Sequence, residues 1–256
     1  MNILPMSGSH RKWIRKLHGK KFREETGVFI AEGFNALEAA IATPFHPILE
    51  IAVDENHTDK VSDILSNDVP VYTCSDSIMR DISTEKTPQG VVMICHRKEF
   101  QFHDLEREAS DTLLYLDRVS DPGNLGTIMR TAAWFDIRQL ILSPSCVDPF
   151  NTKVIRSSAG ALFSTELYQS VNPNQVYEFA AMKGYRLVAT VPRGGIPSNE
   201  WKRQGRTIIL LGQESSGLSD ELTQHADQFI SIPGRGNVES LNLSVAAAII
   251  LYEATK

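Results

Sequence analysis

Short apolar, β-branched segments alternate with helix-like stretches over almost the whole chain, and this alternation constrains the fold more than any other feature. In the first part the apolar segments are Val28–Ala31, Ile48–Val53, Val69–Thr73 and Val91–Cys95, with helix-like stretches at Asn35–Ile41, Asp59–Leu65 and Asp76–Ile82. From Leu113 the pattern resumes. Strand candidates are Leu113–Leu116, Gln139–Leu142, Arg186–Thr190, Thr207–Leu211 and Gln228–Ile232; helix candidates are Gly126–Phe135, Thr152–Ser158, Asn174–Met182, Asp220–His225 and Leu243–Ala254. Runs of the first kind suit strands and longer amphipathic stretches suit helices. Their alternation predicts a layered α/β fold, and in the second part a mostly parallel sheet with helices on both faces. Ligands of such sheets sit beyond the carboxyl ends of strands, so the informative residues are expected just after strands.

Residues 97–111 (RKEFQFHDLEREASD) are dense in charge and carry no strand pattern, which predicts a linker between a domain at 1–96 and a second at 112–256. A chain of 256 residues can bury a core in each. No apolar run approaches a membrane span, and no apolar core follows the basic start as a signal peptide would require, so a cytoplasmic protein is expected. Three cysteines without metal-ligand spacing, and seven histidines without an HExxH-type cluster, speak for reduced thiols and against a metal enzyme. The net charge of −5 argues against nucleic acid, but its distribution argues for it. Arg11, Lys12, Arg15, Lys16, Lys20, Lys21 and Arg23 stand in a start that holds no acid, and RNA binding needs a local basic patch rather than a basic whole. Ile14 and Leu17 give this segment an apolar stripe compatible with a helix.

Three segments follow strands and carry polar residues. In LDRVSDPGNLGTIMRTAAWF (116–135) a Pro-Gly turn leads to Asn124, which has the chemistry of a helix cap, and Thr127 and Arg130 fall on one helical face. In IILLGQESSGL (208–218) Gly212 would let a ligand approach the backbone, and Glu214 can accept hydrogen bonds. In ISIPGRGNVESLNLSVAAAIIL (230–251) a strand stops at Pro233, and Ser240 is a good cap for an apolar helix. Each segment alone is also what an ordinary turn or capped helix looks like. Neither the GxGxxG nor the Walker fingerprint is met, which argues against a dehydrogenase-like nucleotide enzyme.

Together and in this order, NLGTIMR, LLGQESSGL and IPGRGNVESLN resemble the three motifs of the SpoU (TrmH-like) RNA ribose methyltransferases, a likeness running from Leu113 to the C-terminus. It implies a deep trefoil knot in the C-terminal part, S-adenosylmethionine as cofactor, and a homodimer with the active site near the subunit interface. Gly212, Ile232 and Leu241 match positions that hold the cofactor, with Thr190 a softer candidate. Asn124, Arg130, Glu214, Ser240 and Asn242 match the polar positions of catalysis or of the catalytic loop. FIAEG (29–33), TPQGVVMI (87–94) and the basic start resemble a small substrate-recognition domain like an RNA-binding ribosomal protein. The resemblance thus implies methylation of a ribose 2′-hydroxyl in structured RNA, with ribosomal RNA ahead of transfer RNA. The alternative to activity is an RNA-binding protein with a vestigial cofactor site. A guanidinium carries donors only, so Arg130 fits stabilisation of alkoxide charge or of a phosphate better than it fits proton abstraction.

Overall fold

A computed structural model describes residues 3–43, 45–65 and 69–256. Along the chain the elements are β1 (Ile3–Pro5), α1 (Gly8–Lys16), α2 (Lys20–Thr26), β2 (Val28–Glu32), α3 (Phe34–Ala42), β3 (Ile48–Asp54), α4 (Thr58–Ile64), β4 (Val71–Cys74), α5 (Asp76–Ile82), β5 (Val91–His96), α6 (Leu105–Glu108), β6 (Thr112–Leu116), α7 (Pro122–Trp134), β7 (Gln139–Leu142), α8 (Thr152–Ser157), β8 (Glu166–Tyr168), α9 (Pro173–Lys183), β9 (Arg186–Thr190), β10 (Ile196–Pro197), β11 (Thr207–Leu211), α10 (Asp220–His225), β12 (Gln228–Ser231) and α11 (Leu243–Thr255). They form two compact units, one of 1–98 with 148–164 and one of 99–147 with 165–256. No helix among the described residues is long and apolar enough to cross a membrane.

The first unit is built on a mixed sheet in the order β1-β4-β3-β5-β2, with β1, β4 and β3 mutually parallel and β5 antiparallel to β3 and β2. The basic start is helical, as its stripe predicts: Ser7 Oγ accepts from His10 N at 3.2 Å, and Ile14 and Leu17 are fully buried against Ile30, Ala52 and Val92. Arg23 does not belong to the exposed basic patch. It is 4% exposed, its Nη1 donates to the carbonyls of Leu17 and His18, and its Nη2 donates to Asp148 Oδ2 at 2.6 Å. Segment 148–164, expected in the C-terminal domain, belongs here because Phe150 and Phe163 are buried around Phe29 and His46, with the Phe29 and Phe150 rings 5.0 Å apart. Burial holds the His46 imidazole neutral, lowering its pKa to about 4.

The second unit carries a seven-stranded sheet, parallel throughout, in the order β10-β12-β9-β11-β6-β7-β8. Its central strands are apolar at nearly every position because both faces are covered. Leu113, Tyr115, Ile208 and Leu210 meet Val176, Phe179 and Leu222 of α9 and α10. Leu114, Leu116, Ile209 and Leu211 alternate to the opposite face, where α7 and α11 bury Leu125, Ile128, Met129, Ala247, Ile250 and Leu251. Residues 99–111 of the expected linker are part of this unit, and 97–98 are part of the first. Leu105 of α6 is fully buried, and the Phe102 ring lies 5.3 Å from that of Phe179, so an apolar pair hidden in a charged sequence ties the segment to the core. Strands β1, β8 and β10 were not expected; each is two or three residues long at or near a sheet edge, too short to show a period. Of the thiols, Cys74 and Cys95 are buried, which raises the Cys74 pKa to about 11 and raises that of Cys95 further.

Candidate active site

A cavity of about 680 Å³ opens in the second unit beyond the carboxyl ends of β9, β11 and β12. Its wall includes Thr190, Gly212, Glu214, Ile232, Ser240 and Leu241, six of the nine positions singled out in the sequence. Apolar surface comes from Ile230, Ile232, Leu241, Leu243 and Ile250. Parallel strands with staggered ends leave such a crevice because the loops on either side turn apart.

The polar residues join into one chain of hydrogen bonds. Asn242, not Ser240, is the N-cap of α11: its Oδ1 accepts from Ser244 N at 2.9 Å, Val245 N at 3.4 Å and Ser244 Oγ at 2.7 Å. With that oxygen occupied, Asn242 Nδ2 points outward and donates to Asn124 Oδ1 at 3.0 Å. Asn124 Nδ2 in turn donates to Glu214 Oε1 at 2.5 Å. Both amides are therefore fixed in orientation, and the chain runs from the N-terminus of α11 to a carboxylate on the cavity wall. Ser240 is exposed and makes no side-chain hydrogen bond among the described residues.

Asn124 is free for this task because it does not cap its own helix. Asp121 does, accepting from Asn124 N at 2.8 Å, with Pro122 at the first helical position. Helix α7 thus starts four residues before the sequence expectation. The Asp-Pro pair was the available signal, since proline suits the first turn where no N–H is needed. Asn124 stands in that first turn, 9% exposed.

Gly212, on the cavity wall, is required by the chain's own packing. A Cβ there would stand 2.3 Å from Gly217 C and Leu218 N, so the space is filled by the chain's own returning loop. That loop is closed by Gln213 N to Gly217 O at 3.0 Å and Gly217 N to Gln213 O at 2.9 Å, with Gly217 at φ 66°. Gly195 is a second close approach, which the sequence reading missed: a Cβ would lie 2.7–2.8 Å from the Ile230 backbone. The tandem Gly194-Gly195 after β9 was its signal. The neighbouring Val191–Gly194 segment also lines the cavity. Thr190 Oγ1 donates to Leu210 O at 2.8 Å, tying the ends of β9 and β11.

Arg130 is not brought to this cavity. It lies on the exposed face of α7, with no hydrogen bond or ion pair among the described residues. Six residues beyond Asn124, it points roughly 120° away around the helix. One turn further on the same helix, Trp134 is 85% exposed.

A parallel α/β sheet with an apolar cavity at its strand ends and a carboxylate–amide chain on the wall defines a domain that binds an organic ligand beside a polar site. The SpoU rRNA Methylase family model matches residues 111–252, more than half of the chain, and a model of the MRM3-like substrate binding domain matches residues 10–93. A 23S rRNA (guanosine(2553)-2'-O)-methyltransferase of Bacillus subtilis is 31% identical over 93% of this chain and 92% of its own length. A 23S rRNA (guanosine-2'-O-)-methyltransferase of Coxiella burnetii is 29% identical over 88% and 94%. The crystal structure of an AdoMet-bound rRNA methyltransferase from Sinorhizobium meliloti superposes with a TM-score of 0.85 at 28% identity, over 98% of this chain and 96% of that one. The chain belongs to the SpoU rRNA methylase family.

Proposed function

We propose that this protein is an S-adenosylmethionine-dependent methyltransferase acting on a ribose 2′-hydroxyl of ribosomal RNA. The observation that carries the reading is the cavity beyond β9, β11 and β12 with the Glu214–Asn124–Asn242 chain on its wall. Its residues fit the cofactor. Ile230, Ile232, Leu241 and Leu243 supply apolar surface for a nucleoside, and strand ends supply backbone donors and acceptors. S-adenosylmethionine has no phosphate, so it needs neither the glycine cradle nor the lysine that the sequence lacks. Bound there, it would supply a methyl group activated by its sulfonium.

The relatives named above act on ribosomal RNA, which favours that substrate over transfer RNA. A 2′-hydroxyl is a weak nucleophile, so the protein must align it and stabilise the charge that grows on its oxygen. Arg130, uncommitted and exposed, has donors for that oxygen or for the adjacent phosphate. Asn124 and Asn242 hold Glu214 in place at the cavity wall. Residues 1–96, with the basic helix α1, serve as the RNA-recognition domain. In the same reading, the second unit is knotted and the protein is a cytoplasmic homodimer. The exposed Trp134, Val245 and Tyr252 on α7 and α11 favour a second copy covering that surface and bringing Arg130 to the partner's cavity.

The test incubates the purified chain with methyl-tritiated S-adenosylmethionine and either 23S ribosomal RNA or bulk transfer RNA. Label is expected in the ribosomal RNA, in alkali-resistant dinucleotides. Arg130→Ala should abolish it while S-adenosylhomocysteine still binds as in the parent. Label confined to transfer RNA would overturn the substrate, and the absence of both cofactor binding and label would restore the reading of a vestigial cofactor site. Near-normal turnover in Arg130→Ala would remove that residue from the chemistry.

A further inference from the structure

The loop that carries Glu214 is held from outside by two residues that neither the motifs nor the cavity wall single out. Asp117, at the end of β6, is 2% exposed. Its N–H donates to Leu211 O at 2.8 Å, where the loop leaves β11. Its Oδ2 accepts from Ser219 N at 2.9 Å, where the loop ends, and from Arg118 Nε at 3.2 Å. Arg118 Nη2 reaches the loop itself and donates to Gly217 O at 3.1 Å. That carbonyl already accepts from Gln213 N at 3.0 Å, so both of its lone pairs are used. The turn 213–217 is thereby closed from inside by its own backbone and from outside by the guanidinium.

Arg118 occupies this position against its backbone preference. Its φ is 58°, in the left-handed region that glycine and asparagine adopt far more readily. An L-residue there costs on the order of 1 kcal/mol, and such outliers persist where the surroundings determine them. Here the determinant is Ser143, 4% exposed, whose Oγ accepts from Arg118 N at 2.8 Å. The only feature that arginine brings and glycine would lack is its side chain, and that side chain is spent on Asp117 and Gly217.

We infer that Arg118 is a positioning residue. With Asp117 it latches the 212–219 loop so that Glu214 stays on the cavity wall in register with Asn124, and so that Gly212 and Gly217 keep the cavity edge closed around the cofactor. The role rests on the proposed function only for the identity of the ligand; the latch itself is independent of it.

The test uses the full chain, Arg118→Gly and Arg118→Lys, with three measurements. Arg118→Gly relieves the strained backbone while removing the latch. It also leaves the Asp117 carboxylate, 2% exposed, without its cation, so the thermal midpoint is expected to fall, and the latch is read from local exchange and affinity rather than from stability. Amide hydrogen exchange at Gln213, Gly217 and Ser219 should speed up about tenfold or more in Arg118→Gly, with exchange in β6 and β11 unchanged. Calorimetric titration with S-adenosylhomocysteine should show about tenfold weaker binding, the size of one lost hydrogen bond to a charged group. Arg118→Lys keeps the charge on a single donor nitrogen, in place of the Nε and Nη2 that reach Asp117 and Gly217 together, and should recover part of both effects. Unchanged exchange in Arg118→Gly overturns the latch. Faster exchange with unchanged affinity overturns its role in positioning. A parent chain that does not bind S-adenosylhomocysteine overturns the cofactor reading and the positioning role with it, while the exchange result still decides the latch.

Discussion

Replacing Asn124 by Asp keeps the shape of the side chain and reverses one hydrogen bond. In the parent, Asn124 Nδ2 donates to Glu214 Oε1. In Asn124→Asp that donor becomes an acceptor and two carboxylates face each other at about 3 Å. At an effective dielectric of 20 the repulsion is about 5 kcal/mol, and in water about 1.4 kcal/mol. Glu214 is exposed, so solvent screening places the cost near the lower figure, about 1–2 kcal/mol, to which the lost hydrogen bond adds about 1 kcal/mol. The other half of the chain survives, because Asn242 Nδ2 can still donate to residue 124. Adding Glu214→Gln restores a donor–acceptor pair with the roles exchanged. The double variant should therefore recover about 1–2 kcal/mol relative to Asn124→Asp alone. Urea unfolding of the parent, both single variants and the double variant measures this coupling. The deficit of Asn124→Asp should also depend on pH. Like charges raise the folded carboxylate pKa above its unfolded value, so the deficit is small below the unfolded pKa and grows as pH rises through the folded one. A double variant no more stable than Asn124→Asp would refute the contact as the reason Asn124 stands where it does.

Two further outcomes concern the first unit. His46 has a folded pKa of about 4 against 6.5 unfolded, so its contribution is complete above pH 6.5 and is lost as pH falls toward 4. The loss is roughly 3 kcal/mol over that window, and the difference in unfolding free energy between parent and His46→Phe, measured from pH 7 to pH 4, should shrink by about that amount. Asp148→Ala strands Arg23, which is 4% exposed, and should lower stability by about 3–5 kcal/mol; circular-dichroism melting reads this, and the salt dependence of RNA binding should not change.

The sequence by itself determined the longer strands and helices and their order, but not the short edge strands β1, β8 and β10 or helix α6. The apolar periods of β6, β7, β9, β11 and β12 are local properties, and nearly continuous runs such as Thr207–Leu211 already say that both faces of the strand are covered. It also nominated candidate site residues, and of these the structure places Gly212, Glu214 and Ile232 on the cavity wall and Asn242 in the hydrogen-bond chain that reaches it. Some local chemistry was legible but misassigned: the caps belong to Asp121 and Asn242, not to Asn124 and Ser240, because a cap is decided by where the helix starts, and boundaries are the weakest part of a periodic signal. Only the tertiary structure decided what touches what. Asn124 meets Glu214 ninety residues away and Asn242 118 residues away, and no local pattern encodes contacts across such separations. The same holds for Phe150 and Phe163 joining Phe29, and for Arg23 leaving the basic patch to pair with Asp148. It also holds for Arg118, whose left-handed backbone and contact with Gly217 arise only when β6 and β11 lie side by side. Burial and hydrogen-bond satisfaction are properties of the packed chain, and they turn residues that the sequence could only nominate into a site with fixed orientation.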